Sequence, residues 1–517
     1  MTQTLTENTQ QNNKKFNLND IKPQAQKILN SVWTLAAISF LIVFAWAIDF
    51  AFLSIGILVF YELAVFMFCP ENPKAFILPL ISVSYMITSI YGVFHWVYYG
   101  ICIGIFIATV TTYILLQKFK YKKTLTKGKM FWPFVLAGIG NCLGGIIGFF
   151  EPLTFFIVLV FCVLVYGIYW FFLNFLTEYK KYFAYCLIFL TLIITAQLFI
   201  NYLRAEDLAY ALSHKVITVG TGEINGAAMF MLAGLCSCFY LAQYSKRDYL
   251  YILLAIFFDI ATYLTFSRMA LFIAAIVSVV YFFIILAKSP NKKWLLIATL
   301  SVICVGVLGC IVFFDKIQSL FSYYLGLGFA SNGRGRLWPW MIEQFKQNWA
   351  FGIGFITRDP SAVGNYSAMP DIGGGVALVN AHNFFLHFLT CTGIFGFILN
   401  MPFYIKKYIL TFKNFNKFKL FALFNFMCLF VSSLFDPAPN NSIFTIIISL
   451  IFIAMVENDK KEEDFHPVVE ENAAENVDKK EEKLLNNKQE KMPKTQKEKF
   501  KIKLKKKSKI KSLININ

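Results

Sequence analysis

Three short stretches hold residue types able to do chemistry at a membrane surface. The first is Thr265-Phe266-Ser267-Arg268-Met269-Ala270, where two apolar runs meet with almost no linker and Arg268 opens the second. An arginine beside a bilayer is costly unless it faces a polar cavity or an anion. Two readings of Arg268 stand: a phosphate ligand, because a guanidinium fork matches phosphate oxygens, or an interfacial anchor that snorkels. The second stretch is Asn332-Gly333-Arg334-Gly335-Arg336-Leu337-Trp338-Pro339-Trp340. Glycines let the backbone approach a ligand, and Pro339 suits the first turn of a helix. Met341, Ile342, Phe345 and Trp349 then form an apolar stripe. The spacing predicts a helix from Pro339 to Asn348. Arg334 and Arg336 fall just ahead of its N-terminus, where free N–H groups favour anions. A solvated basic turn before an interfacial helix fits the same residues. The third stretch is Asn380-Ala381-His382-Asn383-Phe384. A neutral imidazole at the membrane surface can take a proton from a hydroxyl near neutral pH. A helix-start histidine bonded to backbone is the plainer reading.

Weaker candidates surround these. Arg204, Glu206, Asp207, His214 and Lys215 share one loop, and Asn225 begins the span after it. Glu62 and Asp259 lie inside apolar runs, where a carboxylate is either functional or paired. The outer loops contain no Asp-x-Asp pair, the metal cue of many sugar-nucleotide transferases, so no metal is expected. No Gly-x-x-x-x-Gly-Lys-Ser/Thr loop occurs, which speaks against an ATPase. The 11 cysteines form no paired CxxC set and read as small buried hydrophobes.

The elements that must position these residues are apolar helices. Of the 517 residues, 57% are hydrophobic and 15% charged, against roughly 45–50% and about 25% in a soluble domain. That excludes an ordinary cytosolic enzyme and a disordered chain. About fourteen runs approach the ~20 residues that cross a bilayer. They lie near 31–48, 50–68, 75–93, 97–117, 130–149, 152–176, 182–202, 223–243, 249–266, 269–287, 294–314, 382–403, 420–436 and 442–456. The runs are continuous rather than alternating, so the expectation is an all-α, polytopic transmembrane helix bundle. Residues 1–30 read as a cytoplasmic N-terminal segment without a cleavable signal peptide.

Lysine clusters set the orientation. They occur at Lys14–Lys27, Lys118–Lys129, Lys180–Lys181, Lys246–Arg247, Lys288–Lys293 and Lys406–Lys419, each after an even number of spans if both termini are cytoplasmic. The segment 315–381 then becomes one large outer loop containing short helices. Loops longer than about 12–15 residues are usually functional. The segment 457–517 reads as a disordered, lysine-rich cytoplasmic tail. Its end, Lys491 to Lys511, holds eleven lysines against Glu498 alone. Attachment to anionic membrane lipids is expected there. No nucleic-acid partner is expected, since no accompanying domain is present.

In order, these motifs resemble the O-antigen ligase/polymerase family of membrane glycosyltransferases. Thr265-Phe266-Ser267-Arg268 resembles its t-x-S-R signature. Gly333-Arg334 with Trp338, then Phe351-Gly352-Ile353-Gly354, resembles its G-R-x-x-x-W loop, short helix and G-x-G. Ala381-His382-Asn383, with Gly393-Ile394-Phe395-Gly396 after it, resembles its A-H-N before a glycine-rich span. The three span about 130 residues. Gly220-Thr221-Gly222 with Asn225 is a looser match, and the arginine usual just before it is replaced by Lys215 or Arg204.

The resemblance implies transfer of a glycan from a polyprenyl-diphosphate carrier to an acceptor hydroxyl at the periplasmic face of a bacterial inner membrane, with no cofactor. It implies that Arg268 and Arg334, with Arg336, Arg204 and Lys215 as further partners, hold the diphosphate. His382 would be the base or orienting group, and Asn383 and Trp338 would contact substrate. The acceptor would be lipid A-core, a glycan or a protein. A secondary transporter or lipid-linked oligosaccharide flippase is the competing class. Inverted repeats and broken midplane helices mark transporters, and no convincing repeat relates the two halves of this chain.

Overall fold

The computed structural model describes residues 18–48, 51–82, 85, 93–147, 152–176, 179–206, 219, 224–245, 247–265, 267–288, 292–312, 334–357, 377–378, 381–434 and 443–459. The chain divides into Met1–Asp459 and Lys460–Asn517. All described residues belong to the first unit, and the lysine-rich tail lies outside them.

Sixteen α-helices occur among the described residues: α1 Leu18–Leu29, α2 Val32–Ala47, α3 Ala51–Phe68, α4 Ile77–Ser82, α5 Val93–Leu115, α6 Phe131–Ile147, α7 Pro152–Phe175, α8 Lys180–Arg204, α9 Ile224–Ala242, α10 Asp248–Leu264, α11 Arg268–Lys288, α12 Lys292–Val312, α13 Arg334–Gln347, α14 Phe384–Phe412, α15 Lys417–Ser433 and α16 Ile443–Asn458. One antiparallel ladder joins β1 Ile356–Thr357 to β2 Ala377–Leu378. Helix lies in every one of the fourteen apolar runs. Within the run 75–93, α4 covers residues 77–82 and α5 opens at Val93.

Apolar backbone must satisfy its own N–H and C=O groups in lipid, which helices do. Four stretches among the described residues are long and apolar enough to cross a bilayer: Val158–Phe175, Lys180–Arg204, Met269–Ala287 and, counted across a break at Gly393, Phe384–Phe412. Lys22–Leu29 with Val32–Ala47 forms one further candidate, bent by 60°. Ile55–Phe68, Phe131–Gly144, Gly226–Ala242 and Ile446–Asn458 are shorter apolar helices.

The connections fix which helix ends meet. At one end, the Lys129 amide donates to Glu457 Oε1 and the Tyr169 hydroxyl to Glu457 Oε2, both at 2.6 Å. Asn458 donates to the Leu173 carbonyl at 2.8 Å. Asp459, almost fully buried, pairs with Lys180 and, at 3.8 Å, with Lys419. A buried carboxylate persists only with such partners. Residues 457–459, expected from the sequence to begin a disordered tail, therefore close the bundle, tying α6, α7, α8, α15 and α16 together.

The opposite end gathers other termini. The Tyr202 hydroxyl donates to the Leu264 carbonyl at 2.5 Å, bringing α8 to the end of α10 and the start of α11. Arg204 donates to the Ala47 carbonyl at 2.6 Å, at the end of α2. Between the two ends runs an aromatic core. Tyr240 of α9 stacks on Phe421 of α15 at 4.6 Å, and Phe183 of α8 meets Phe452 of α16 at 5.0 Å.

Candidate functional site

The run 382–403, expected as one straight span, is broken. Gly393 has φ 65° and ψ −173°. The Phe384 and Tyr404 rings stand 5.0 Å apart, whereas twenty residues of straight helix would separate them by about 30 Å. Phe384–Thr392 therefore folds back along Ile394–Phe412 as a helical hairpin. A Cβ on Gly393 would sit 2.3 Å from the Ala350 carbonyl carbon and oxygen, so only glycine fits. Four backbone hydrogen bonds lock the corner to residues 349–354, just after helix Arg334–Gln347. Ile353 donates to Thr390 at 2.9 Å, Gly354 to Cys391 at 2.8 Å, Ile394 to Trp349 at 2.8 Å and Phe395 to Ala350 at 3.2 Å. Helix α6 backs the corner closely: a Cβ on Gly144 would lie 2.2 Å from the Cys391 carbonyl.

His382 stands at the start of the short limb, partly buried, with φ 50°. A left-handed conformation in a residue other than glycine is uncommon. Asn383 caps that helix. Its Oδ1 accepts from the Leu386 amide and its Nδ2 donates to the Leu434 carbonyl, both at 3.0 Å. Read from sequence as a substrate contact, the Asn383 amide is thus engaged at both ends and ties the His382 turn to the end of α15.

Helix α13 runs beside the same limb. The Trp338 indole N–H donates to the Ala381 carbonyl at 2.9 Å, and the Thr390 hydroxyl to the Met341 carbonyl at 3.2 Å. Leu337, Met341, Ile353, Ala381 and Cys391 form a small separate core between them. The expected helix opening at Pro339 begins earlier, at Arg334, with Pro339 inside it. Arg334 and Arg336 therefore belong to the first turn of α13 rather than preceding it. Buried Leu337 and Met341 set its inner face, while Ile342 and Trp349 of the expected stripe are exposed. Cations in the first turn of a helix oppose its dipole. An anion bound there would reverse that penalty, and no acidic residue occupies the turn.

Trp338 thus holds the first turns of α13 against the residue preceding His382. Trp338→Phe is expected to lower stability by about 1 kcal/mol, the worth of one hydrogen bond, and to reduce activity at this site. Unchanged melting and activity together would show the bond to be incidental.

Arg268 is the first residue of α11. Before it, Ser267 donates to the Thr265 hydroxyl at 3.3 Å, and the Ser267 carbonyl accepts from Leu271 at 3.0 Å. Tyr281 of α11 and Phe424 of α15 meet at 4.5 Å. Helix α11 starts by Leu264 at the end of α8, and α15 starts by Lys180 at the beginning of α8, so the two run in opposite directions. Arg268 lies thirteen residues before Tyr281 and Leu434 ten after Phe424, a rise of about 20 Å and about 15 Å. Arg268 therefore reaches the same end of the bundle as Asn383, which bonds to Leu434. Arg204, expected as a diphosphate partner, donates to the Ala47 carbonyl at the end of α2; Lys215, expected in the same role, lies outside the described residues. Asp259 accepts from the Ser278 hydroxyl at 2.8 Å, linking α10 to α11, and Glu62 is buried in α3. Among the described residues, no three His, Cys, Asp or Glu side chains come together as a metal-holding group.

Residues 250–401 match the family model described as O-Antigen ligase. The chain carries an O-antigen ligase domain. The O-antigen ligase domain runs from α10 to beyond the Gly393 corner. It contains Arg268, Arg334, Arg336, Trp338, His382 and Asn383. It marks the protein as a multi-pass membrane enzyme of glycosyl transfer in cell-surface polysaccharide biosynthesis. No curated protein matches the chain. Two features of the O-antigen ligase domain escape a motif reading: the Trp338 tether and the hairpin. Gly393 and Gly396 were visible signals for the second, since paired glycines in an apolar run permit a sharp corner.

Proposed function

We propose that the protein transfers a glycan from a polyprenyl-diphosphate carrier to an acceptor hydroxyl on the periplasmic face of a bacterial inner membrane. The observation that carries this reading is the pair of neighbouring helix starts, one bearing Arg334 and Arg336 in its first turn, the other preceded by His382. A departing diphosphate concentrates negative charge. Helix N–H groups and fixed guanidinium groups at a dry boundary stabilise it most as that charge develops. His382 takes the proton from the acceptor hydroxyl, whose oxygen bonds to the sugar carbon. The carbon–oxygen bond to diphosphate breaks, and its electron pair leaves with the diphosphate. Arg268, Arg334 and Arg336 hold that leaving group. The acceptor is lipid A-core, a growing glycan or a protein hydroxyl.

The lysine-rich end of the bundle is cytoplasmic in this reading, in keeping with the charge rule, and both termini lie there. The basic tail attaches to anionic lipid on that side.

Arg268→Lys keeps the charge but loses the fork, and is expected to cut transfer by about 10²-fold; a wild-type rate would remove forked phosphate recognition from the mechanism. The residue set also predicts activity in the presence of chelator, and complete loss restored by magnesium would contradict it. The decisive assay incubates purified protein with a lipid-diphosphate glycan and a panel of acceptors, and weighs the product. A mass increment of one glycan on one acceptor class identifies the reaction. Release of no lipid diphosphate with any acceptor would sink the proposal.

A further inference from the structure

Helices α6, α7, α14, α15 and α16, including Phe384 and Phe388 of the limb that follows His382, enclose a partly open cavity of about 160 Å³. Its walls are mainly apolar, with Phe161, Phe403 and Leu450 among them, but Asn141, Asn400 and Lys407 also line it. A cavity of this size in an engineered core accommodates a benzene-sized hydrocarbon. Lys407 is 7% exposed. Its ammonium stands 4.7 Å from the Phe426 ring centroid, 5.0 Å from that of Tyr408 and 5.4 Å from that of Tyr404. Among the described residues no carboxylate pairs with it. Cation–π contacts offset part of the cost of burying an ammonium but leave its charge uncancelled. The two amides are already committed: Asn400 donates to Asn141 at 2.9 Å and to the Gly396 carbonyl at 2.9 Å. Lys407 lies five residues before the end of α14, at the end of the bundle closed by Glu457–Asp459.

We propose that this cavity is a binding site for one anionic phospholipid, its phosphodiester on Lys407 and a segment of acyl chain against the apolar walls. The charge arithmetic selects the occupant. A single phosphodiester carries one negative charge and matches one ammonium. The aromatic cage already holds a cation, so the choline group of a zwitterionic lipid finds no place there. A soluble phosphate leaves the apolar walls unfilled. The cavity reaches Phe384, two residues beyond His382, but Lys407 takes no part in the proposed reaction.

The test uses the full chain in phosphatidylcholine nanodiscs doped with phosphatidylglycerol, with retained lipid weighed by native mass spectrometry. The wild type is expected to retain one phosphatidylglycerol. Lys407→Met, similar in shape without the charge, is expected to retain at least tenfold less. Gly138 also lines the cavity, and a Cβ there would lie 3.6 Å from the Cys162 Cβ, an ordinary contact. Gly138→Val therefore fills the cavity without touching Lys407, and is expected to lose the lipid too; it decides the matter should Lys407→Met fail to fold. Equal retention of phosphatidylcholine, undiminished retention by the variants, or displacement of the lipid by millimolar inorganic phosphate would each overturn the proposal.

Discussion

His382→Gly is expected to reduce glycan transfer about 10²–10⁴-fold, the usual worth of a positioned general base, with little change in melting temperature. Glycine is the informative replacement because the position has φ 50°. It removes the imidazole while relaxing the backbone, so a loss of rate cannot be blamed on strain. Asn383 still caps the helix and still bonds to Leu434, so the turn should keep its place. The loss should fall on kcat, since a base acts on the reacting hydroxyl rather than on carrier affinity. Transfer at the wild-type rate would reduce His382 to a turn residue.

The second large effect is structural. Gly393→Ala is expected to destabilise the protein by several kcal/mol and to abolish transfer with it. Two named costs combine. Alanine resists φ 65°, and its Cβ would meet the Ala350 carbonyl group at 2.3 Å and the Phe351 nitrogen at 2.4 Å. These are backbone atoms, and the Ala350 carbonyl is already committed to Phe395, so no side chain can swing aside. A thermal melt of detergent-purified protein reads the first loss and the acceptor assay the second. A variant that melts and works like the wild type would mean that the chain passes Gly393 as a straight helix.

Composition alone announced an all-helical membrane protein, because continuous apolar runs leave the backbone no other partner than itself. The ordered motifs around Arg268, Arg334 and His382 marked the functional segment. Four things were not legible. The hairpin was hidden because Phe384–Thr392 is as apolar as the span it folds against, and hydropathy carries no direction. The start of α13 was misplaced because Pro339 suits a first turn, yet Leu337 and Met341 bury one turn apart and draw the helix back to Arg334. The end of α16 was cut short because Glu457, Asn458 and Asp459 look like the polar run that follows them. Only their distant partners Lys129, Leu173, Lys180 and Lys419 distinguish them. Lys407 was counted merely as one of a basic cluster, since nothing in the sequence announces that Tyr404, Tyr408 and Phe426 surround it.

The β1–β2 ladder has an evolutionary corollary. Ile356 pairs with Leu378 and Thr357 with Ala377, so the chain leaves α13 and returns to α14 through one narrow neck. Whatever lies between Thr357 and Ala377 can be lengthened, shortened or exchanged while the neck holds its two ends together. Under the proposed reaction, such a cassette would let a lineage change its acceptor without rebuilding the corner at Gly393.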